Sequence, residues 1–144
     1  MGNPRLEDNR RLLRARDLID RCYADALDVE ALARHVHLSR AHFIRSFREA
    51  FGETPHRYLQ RRRIERAMAL LRESDRPITE ICLDVGFVSL GSFSKTFAEI
   101  VGCSPSAYRR RGHSRERSRV PSCFAMAWDR PSSTFREAGG AIRD

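Results

Sequence analysis

The sequence predicts an all-α fold: two helix-turn-helix subdomains joined by a long linker helix, followed by an irregular C-terminal tail. Three observations carry this prediction. Apolar residues recur at helical spacing through most of the first 111 residues. An internal repeat runs through the chain. Serine caps, glycine stops and prolines suited to a first helical position fall at matching points in both copies.

The repeat has a measurable register. Val29-Glu30-Ala31-Leu32-Ala33-Arg34-His35-Val36 matches Ile78-Thr79-Glu80-Ile81-Cys82-Leu83-Asp84-Val85 at an offset of 49. Ser39, Phe43, Phe47, Gly52, Pro55 and Tyr58 match Ser89, Phe93, Phe97, Gly102, Pro105 and Tyr108 at an offset of 50. The register therefore slips by one residue between Val36 and Ser39, which a turn tolerates and a helix does not.

Taken in order, Asn9 to Tyr23 reads as an amphipathic helix with Leu12, Ile19, Cys22 and Tyr23 inward. Asp28 is the expected N-cap of the next helix, whose apolar face is Leu32, Ala33 and Val36. His37-Leu38 forms the turn, with His37 expected in the left-handed conformation. Ser39 caps a helix with Phe43, Phe47, Ala50 and Phe51 inward. Thr54-Pro55 starts a long helix to about Glu73, carrying Tyr58, Leu59, Ile64, Ala67, Met68, Leu70 and Leu71 and spacing the two units. In the second copy Gly86 stops the first helix and Ser89 caps the next, with Phe93, Phe97, Ile100 and Val101 inward. Ser104-Pro105 opens a short helix ending in Arg109-Arg110-Arg111. The expected division is residues 9–111 as the domain (9–54, 55–73 and 74–111 for first unit, linker and second unit) and 112–144 as a basic, partly apolar tail.

Charge narrows the function. Lys and Arg number 27 against 19 Asp and Glu, a net +8, and Lys95 is the only lysine. Such a balance favours a polyanionic partner, nucleic acid or an anionic membrane. No apolar run approaches a membrane span and no secretory h-region follows Met1, so no membrane partner is expected. The cysteines (Cys22, Cys82, Cys103, Cys123) lie far apart with no C-x-x-C pair, which favours reduced thiols in a cytoplasmic setting. His35, His37 and His42 lack further ligands at suitable spacing, so no metal is expected. No nucleophile elbow, P-loop or H-E-x-x-H is present. Glu80 and Asp84 read as a solvated face, and neither enzymatic activity nor a cofactor is expected.

Two stretches carry a family signature: V-G-F-V-S-L-G-S-F-S-K-T-F from Val85 to Phe97, and G-C-S-P-S-A-Y-R-R from Gly102 to Arg110. The linker R-R-R-I-E-R-A-M-A-L-L, Arg61 to Leu71, fits the same pattern. Over roughly residues 9–111 the chain resembles the DNA-binding domain of AraC/XylS-family bacterial transcription regulators. The resemblance implies seven helices, two recognition helices entering successive major grooves of double-stranded DNA, and activation through contact with RNA polymerase. Many members carry an N-terminal effector-binding and dimerisation domain. None is visible here, which makes the chain similar to stand-alone members that bind DNA as monomers. The sequence departs from the family in having His37 where the first turn often has glycine and Cys82 where alanine is usual.

The phenylalanines set which sides face outward. By resemblance the base-facing positions are Ala41, Ile44 and Arg45 in the first unit, with Arg40 beside them, and Leu90, Gly91, Ser94 and Lys95 in the second. Arg45 is the expected bidentate partner of guanine, and Ala41 and Ile44 meet only thymine methyls or shape. The second unit, with fewer polar readers, is expected to position more than it reads. Ser39, Arg48, Arg61, Ser89, Ser92, Arg109 and Arg110 are the candidate phosphate contacts. For the arginines of 61–63 and 109–111, pairing with Glu65 and Glu73 is the alternative. Two other functions compete: a non-specific architectural DNA binder, and a protein-interaction module acting through the tail run from Cys123 to Trp128.

Overall fold

A computed structural model of the chain describes residues 2–115. Seven α-helices account for the regular structure of these residues, and they fall into two compact units that meet in sequence between Leu59 and Gln60. The tail run from Cys123 to Trp128 lies outside the described residues.

The first unit opens with α1 (Pro4–Cys22). It starts five residues before the Asn9 expected from sequence, because Asn3 accepts a hydrogen bond from the Arg5 amide at 3.0 Å and Pro4 takes the first helical position. Its buried stripe is Leu12, Ala15, Arg16 and Ile19, while Cys22 and Tyr23, expected inward, are only half-buried. Asp28 caps α2 (Val29–His35) by accepting from the Ala31 amide at 2.7 Å. His37 follows at φ 60°, the left-handed conformation expected of it. Ser39 caps α3 (Arg40–Phe51), which ends at Gly52 with φ 82°. Thr54 accepts from the Arg57 amide at 3.2 Å and opens α4 (Pro55–Glu73), whose first turn closes the first core with Tyr58 and Leu59.

The rest of α4 opens the second unit. Its buried residues Ile64, Ala67, Met68 and Leu71 stand 52 positions after Leu12, Ala15, Arg16 and Ile19. The repeat therefore extends further than the helix-turn-helix pair; Arg10, Arg11, Arg14 and Leu18 also recur as Arg62, Arg63, Arg66 and Leu70. The offset of 52, against 49 and 50 in the helix-turn-helix pair, hides this third helix from a reading confined to the turn. Two short helices follow, α5 (Ile78–Asp84) and α6 (Leu90–Val101), with Gly86 at φ 105° between them and Gly102 at φ 96° after them. Ser104 accepts from the Ala107 amide at 3.1 Å and starts α7 (Pro105–Arg115). This helix runs past Arg111, where the tail was expected to begin. Gly112 is not among the glycines with positive φ, and a glycine stops a helix only when it turns left-handed.

Each core is built on a set of rings. Phe47 meets Phe43, Phe51 and Tyr58 at centroid distances of 5.7, 4.6 and 5.9 Å. In the second unit Phe87, Phe93, Phe97 and Tyr108 form a chain at 5.3, 5.7 and 5.7 Å. Tilted and edge-on pairs of this kind each add about 0.5–1.5 kcal/mol beyond burial. The two tyrosines close their units by opposite chemistry: the Tyr58 hydroxyl donates to the Asp20 carboxylate of α1, whereas the Tyr108 hydroxyl accepts from Arg72 of α4. Asp20 and Arg72 occupy matching places at the 52-residue offset.

Candidate nucleic-acid interface

The inner faces of α3 and α6 dictate what remains outside. Residues 43–50 and 93–100 have the same burial class at every step, with Phe43/Phe93 and Phe47/Phe97 fully buried. At 100° per residue, Ala41 and Arg45 lie on the side of α3 opposite its phenylalanines, and Gly91 and Lys95 do the same on α6. Arg40, Ala41, Arg45 and Arg48 are exposed and Ile44 is half-buried. Leu90, Gly91, Ser92 and Lys95 are exposed and Ser94 is half-buried. Of the candidate base-facing residues, Ala41 and Arg45 on α3 and Gly91 and Lys95 on α6 thus share the outward side of their own helix; Ile44 and Ser94 lie at its flank, and Arg40 and Leu90 are exposed because they stand at the first helical position.

Both helix starts are held by serine. The Ser39 hydroxyl accepts from the His42 amide and that of Ser89 from the Ser92 amide, each at 3.2 Å. These caps stabilise their helices by about 1 kcal/mol each. Further support differs between the units. His42 Nε2 lies 2.9 Å from Asp8 of α1 and 3.4 Å from the Ser46 hydroxyl, so α3 is tied to its neighbour. In the second unit the Cys82 thiol, buried in α5, donates to the Ser89 carbonyl at 3.4 Å. Burial pushes this thiol's pKa up, which favours the protonated donor.

The candidate phosphate contacts divide. Ser39, Arg48, Ser89, Ser92 and Arg110 are exposed. Arg61 is only 4% exposed and donates to Glu65 at 2.8 Å, with Arg62 donating to the same carboxylate. A buried, paired guanidinium is not presented to a phosphate, so Arg61 takes the pairing alternative. Arg109 donates from Nε to the Leu71 carbonyl at 3.3 Å and from Nη2 to that of Ser74 at 3.1 Å. It thereby satisfies carbonyls at the C-terminal end of α4, a structural task that takes two of its five donors.

Some charged residues act where sequence reasoning did not place them. Arg16 is buried with its guanidinium 5.0 Å from the Phe51 ring centroid, and Arg63 sits 5.9 Å from that of Phe87. Burial lowers the Arg63 pKa. The signal for Arg16 was available: it falls on the Leu12-Ala15-Ile19 stripe at helical spacing. Glu80 and Asp84 are exposed, as expected of a solvated face, and pair there with Arg76.

Comparison with known proteins agrees with this geometry. The profile of a family described as a helix-turn-helix domain matches residues 32–111. The RCS-specific HTH-type transcriptional activator RclR of Escherichia coli is 38% identical over 86 residues, covering 60% of this chain and 30% of RclR. Regulatory protein SoxS of Salmonella typhimurium is 33% identical over 93 residues, covering 65% of this chain and 87% of SoxS. The chain spans under a third of the length of several curated relatives, RclR among them. Among solved structures, the DNA-binding domain of AdpA in complex with a target DNA superposes with a TM-score of 0.70 at 31% identity, covering 74% of this chain and 96% of that one. The C-terminal domain of AraT, a response regulator from Geobacillus stearothermophilus, gives 0.68 at 30% identity, covering 70% and 84%. With the repeated capped helices, their common inner face and these matches in hand, the chain belongs to the AraC/XylS family of helix-turn-helix regulators.

Proposed function

We propose that the chain is a sequence-specific, double-stranded-DNA-binding transcription regulator that inserts α3 and α6 into successive major grooves. The observation that carries this reading is the repeated burial pattern of α3 and α6. It leaves Ala41 and Arg45 on one helix, and Gly91 and Lys95 on the other, on the side away from the core. AdpA, a structural neighbour, was solved with a target DNA, which supports the same assignment here. Arg45 reads guanine through its planar fork; Arg40, Ala41, Ile44, Leu90, Gly91, Ser94 and Lys95 complete the base-facing set. Ser39, Arg48, Ser89, Ser92 and Arg110 contact phosphates. The chain acts as a monomeric activator in the bacterial cytoplasm, with RNA polymerase as its protein partner. The domain spans about residues 4–115, from the start of α1 to the end of α7.

Selection of bound sequences from a random DNA pool, repeated across salt concentrations, tests the proposal. The expected result is an asymmetric motif of two blocks centred about 10 base pairs apart. The selected site should outcompete bulk DNA by about 10³-fold or more at physiological salt. The near-absence of polar base readers on α6 favours one rival, a non-specific architectural binder. A pool that returns no motif, or a preference below ten-fold, would replace the proposal with that rival.

A further inference from the structure

The turn of the second unit carries a residue that the first lacks. In the first unit Val36 N donates to Leu32 O, His37 N to Arg34 O and Leu38 N to Ala33 O. In the second, Val85 N donates to Ile81 O, Gly86 N to Leu83 O and Phe87 N to Cys82 O, the same three bonds shifted by 49 residues. His37 and Gly86 share the left-handed conformation, and Leu38 and Phe87 both pack on their cores. Ser39 and Ser89 then cap at an offset of 50. The extra residue is therefore Val88, and its side chain is 92% exposed.

Two neighbours of Val88 also face solvent. Leu90, the first residue of α6, is 43% exposed. Gly91 is helical with right-handed φ, and a Cβ built on it would meet nothing within 4 Å. Glycine in a helix is less stable than alanine, and no close approach within the protein requires it here. A valine, a leucine and a bare glycine thus stand together at the leading end of the helix, one turn before Lys95. The apolar group that a major groove offers is the thymine C5 methyl.

We propose that Val88 and Leu90 form a thymine-methyl-reading surface, and that Gly91 lets α6 approach the base edges closely. The inference rests on the DNA-binding function proposed above and assigns to the second unit a specificity of its own, by apolar contact in place of hydrogen bonds. Lys95, on the same side of α6 as Gly91, supplies the attraction to the polyanion.

The test uses the full chain and its selected DNA site. Each thymine is replaced singly by deoxyuridine, which removes only the methyl group. At one or more thymines the affinity should fall about four-fold, the value of one buried methyl. At those positions Val88→Ser or Leu90→Ser should abolish the difference between thymine and deoxyuridine. Val88→Ser should keep the wild-type melting temperature, since that side chain is 92% exposed, and Leu90→Ser, at 43%, should lower it only slightly. Gly91→Ala should melt higher than wild type yet bind the site more weakly. Deoxyuridine without effect at every position, or with equal effect in wild type and both serine variants, overturns the proposal. So does loss of transcription activation in Val88→Ser with DNA affinity and methyl sensitivity unchanged, which would assign the surface to a protein partner. Tighter or equal binding by Gly91→Ala overturns the close approach. A chain that prefers no DNA sequence refutes the function and this inference together; binding to a preferred site without methyl sensitivity refutes the inference alone.

Discussion

The exposed residues of α3 include Arg40, Arg45 and Arg48; on α6 the corresponding stretch has Lys95 as its one cation. The position of His42, which reaches Asp8 of α1, is taken in α6 by the exposed Ser92. The first turn passes straight from Leu38 to Ser39, while the second inserts Val88. Beneath these differences, the phenylalanines, caps and left-handed stops agree. Close-packed interiors admit few substitutions without loss of stability, whereas exposed positions change at little cost. Two copies of one architecture can therefore hold one inner face in common and diverge on the other, and function follows the divergent face.

The comparison can be broken most forcefully at its shared part. Phe47→Ala and Phe97→Ala each remove a fully buried ring and should cost about 3–5 kcal/mol. Because each ring lies in the core of its own unit, amide hydrogen exchange should show protection lost first in the unit that carries the change. Uniform loss across both units would contradict two separately built cores. Next is the Arg61–Glu65 pair. Arg61→Ala removes a buried partner of Glu65 and should lower stability by roughly 1–3 kcal/mol, while the salt dependence of DNA binding stays as it was. A salt slope reduced by about 0.9 would return Arg61 to the phosphate contacts.

Arg45→Ala and Lys95→Ala sharpen the comparison on the divergent face. Arg45→Ala should cost about 1–3 kcal/mol of binding and relax preference at one guanine. Lys95→Ala should weaken selected and unrelated sequences alike. Equal loss of base preference in both variants would erase the proposed division of labour. The smallest effects belong to the stops. His37→Gly relieves a left-handed side chain and should raise stability by roughly 0.5–1 kcal/mol, whereas Gly86→Ala should lower it by about 1–2 kcal/mol. Thermal melting that moves in the same direction for both would remove the equivalence of the two turns.

Much of this was legible beforehand for a local reason. Ser39, Ser89, Gly52, Gly102, Pro55 and Pro105 act on backbone groups within four residues of themselves, so their positions in sequence locate helix ends directly. The exposed candidates Arg40, Arg45 and Lys95 were legible as the complement of the phenylalanine stripe. The arginines were legible only in part. Arg16 falls on the apolar stripe of α1 and Glu65 is one of the alternative partners expected for Arg61, but Arg109 on the α4 carbonyls read as surface charge, since a guanidinium at the end of a long stem reveals a distant partner only once helices are packed. The end of α7 was not legible either: the helix expected to end at Arg111 runs on through Gly112 to Arg115.

What the amino-acid order determined by itself is the punctuation of the helices, their inner faces and the twofold repeat, because caps, stops and periodicity are decided within a turn or two of chain. Tertiary structure decided the rest: the burial of Arg16 against Phe51, the docking of Arg109 on the α4 carbonyls, and the partners that Tyr58 and Tyr108 find in Asp20 and Arg72. Each of these depends on which groups meet across long sequence separations, where packing and hydrogen-bond geometry, rather than residue type, select the partner.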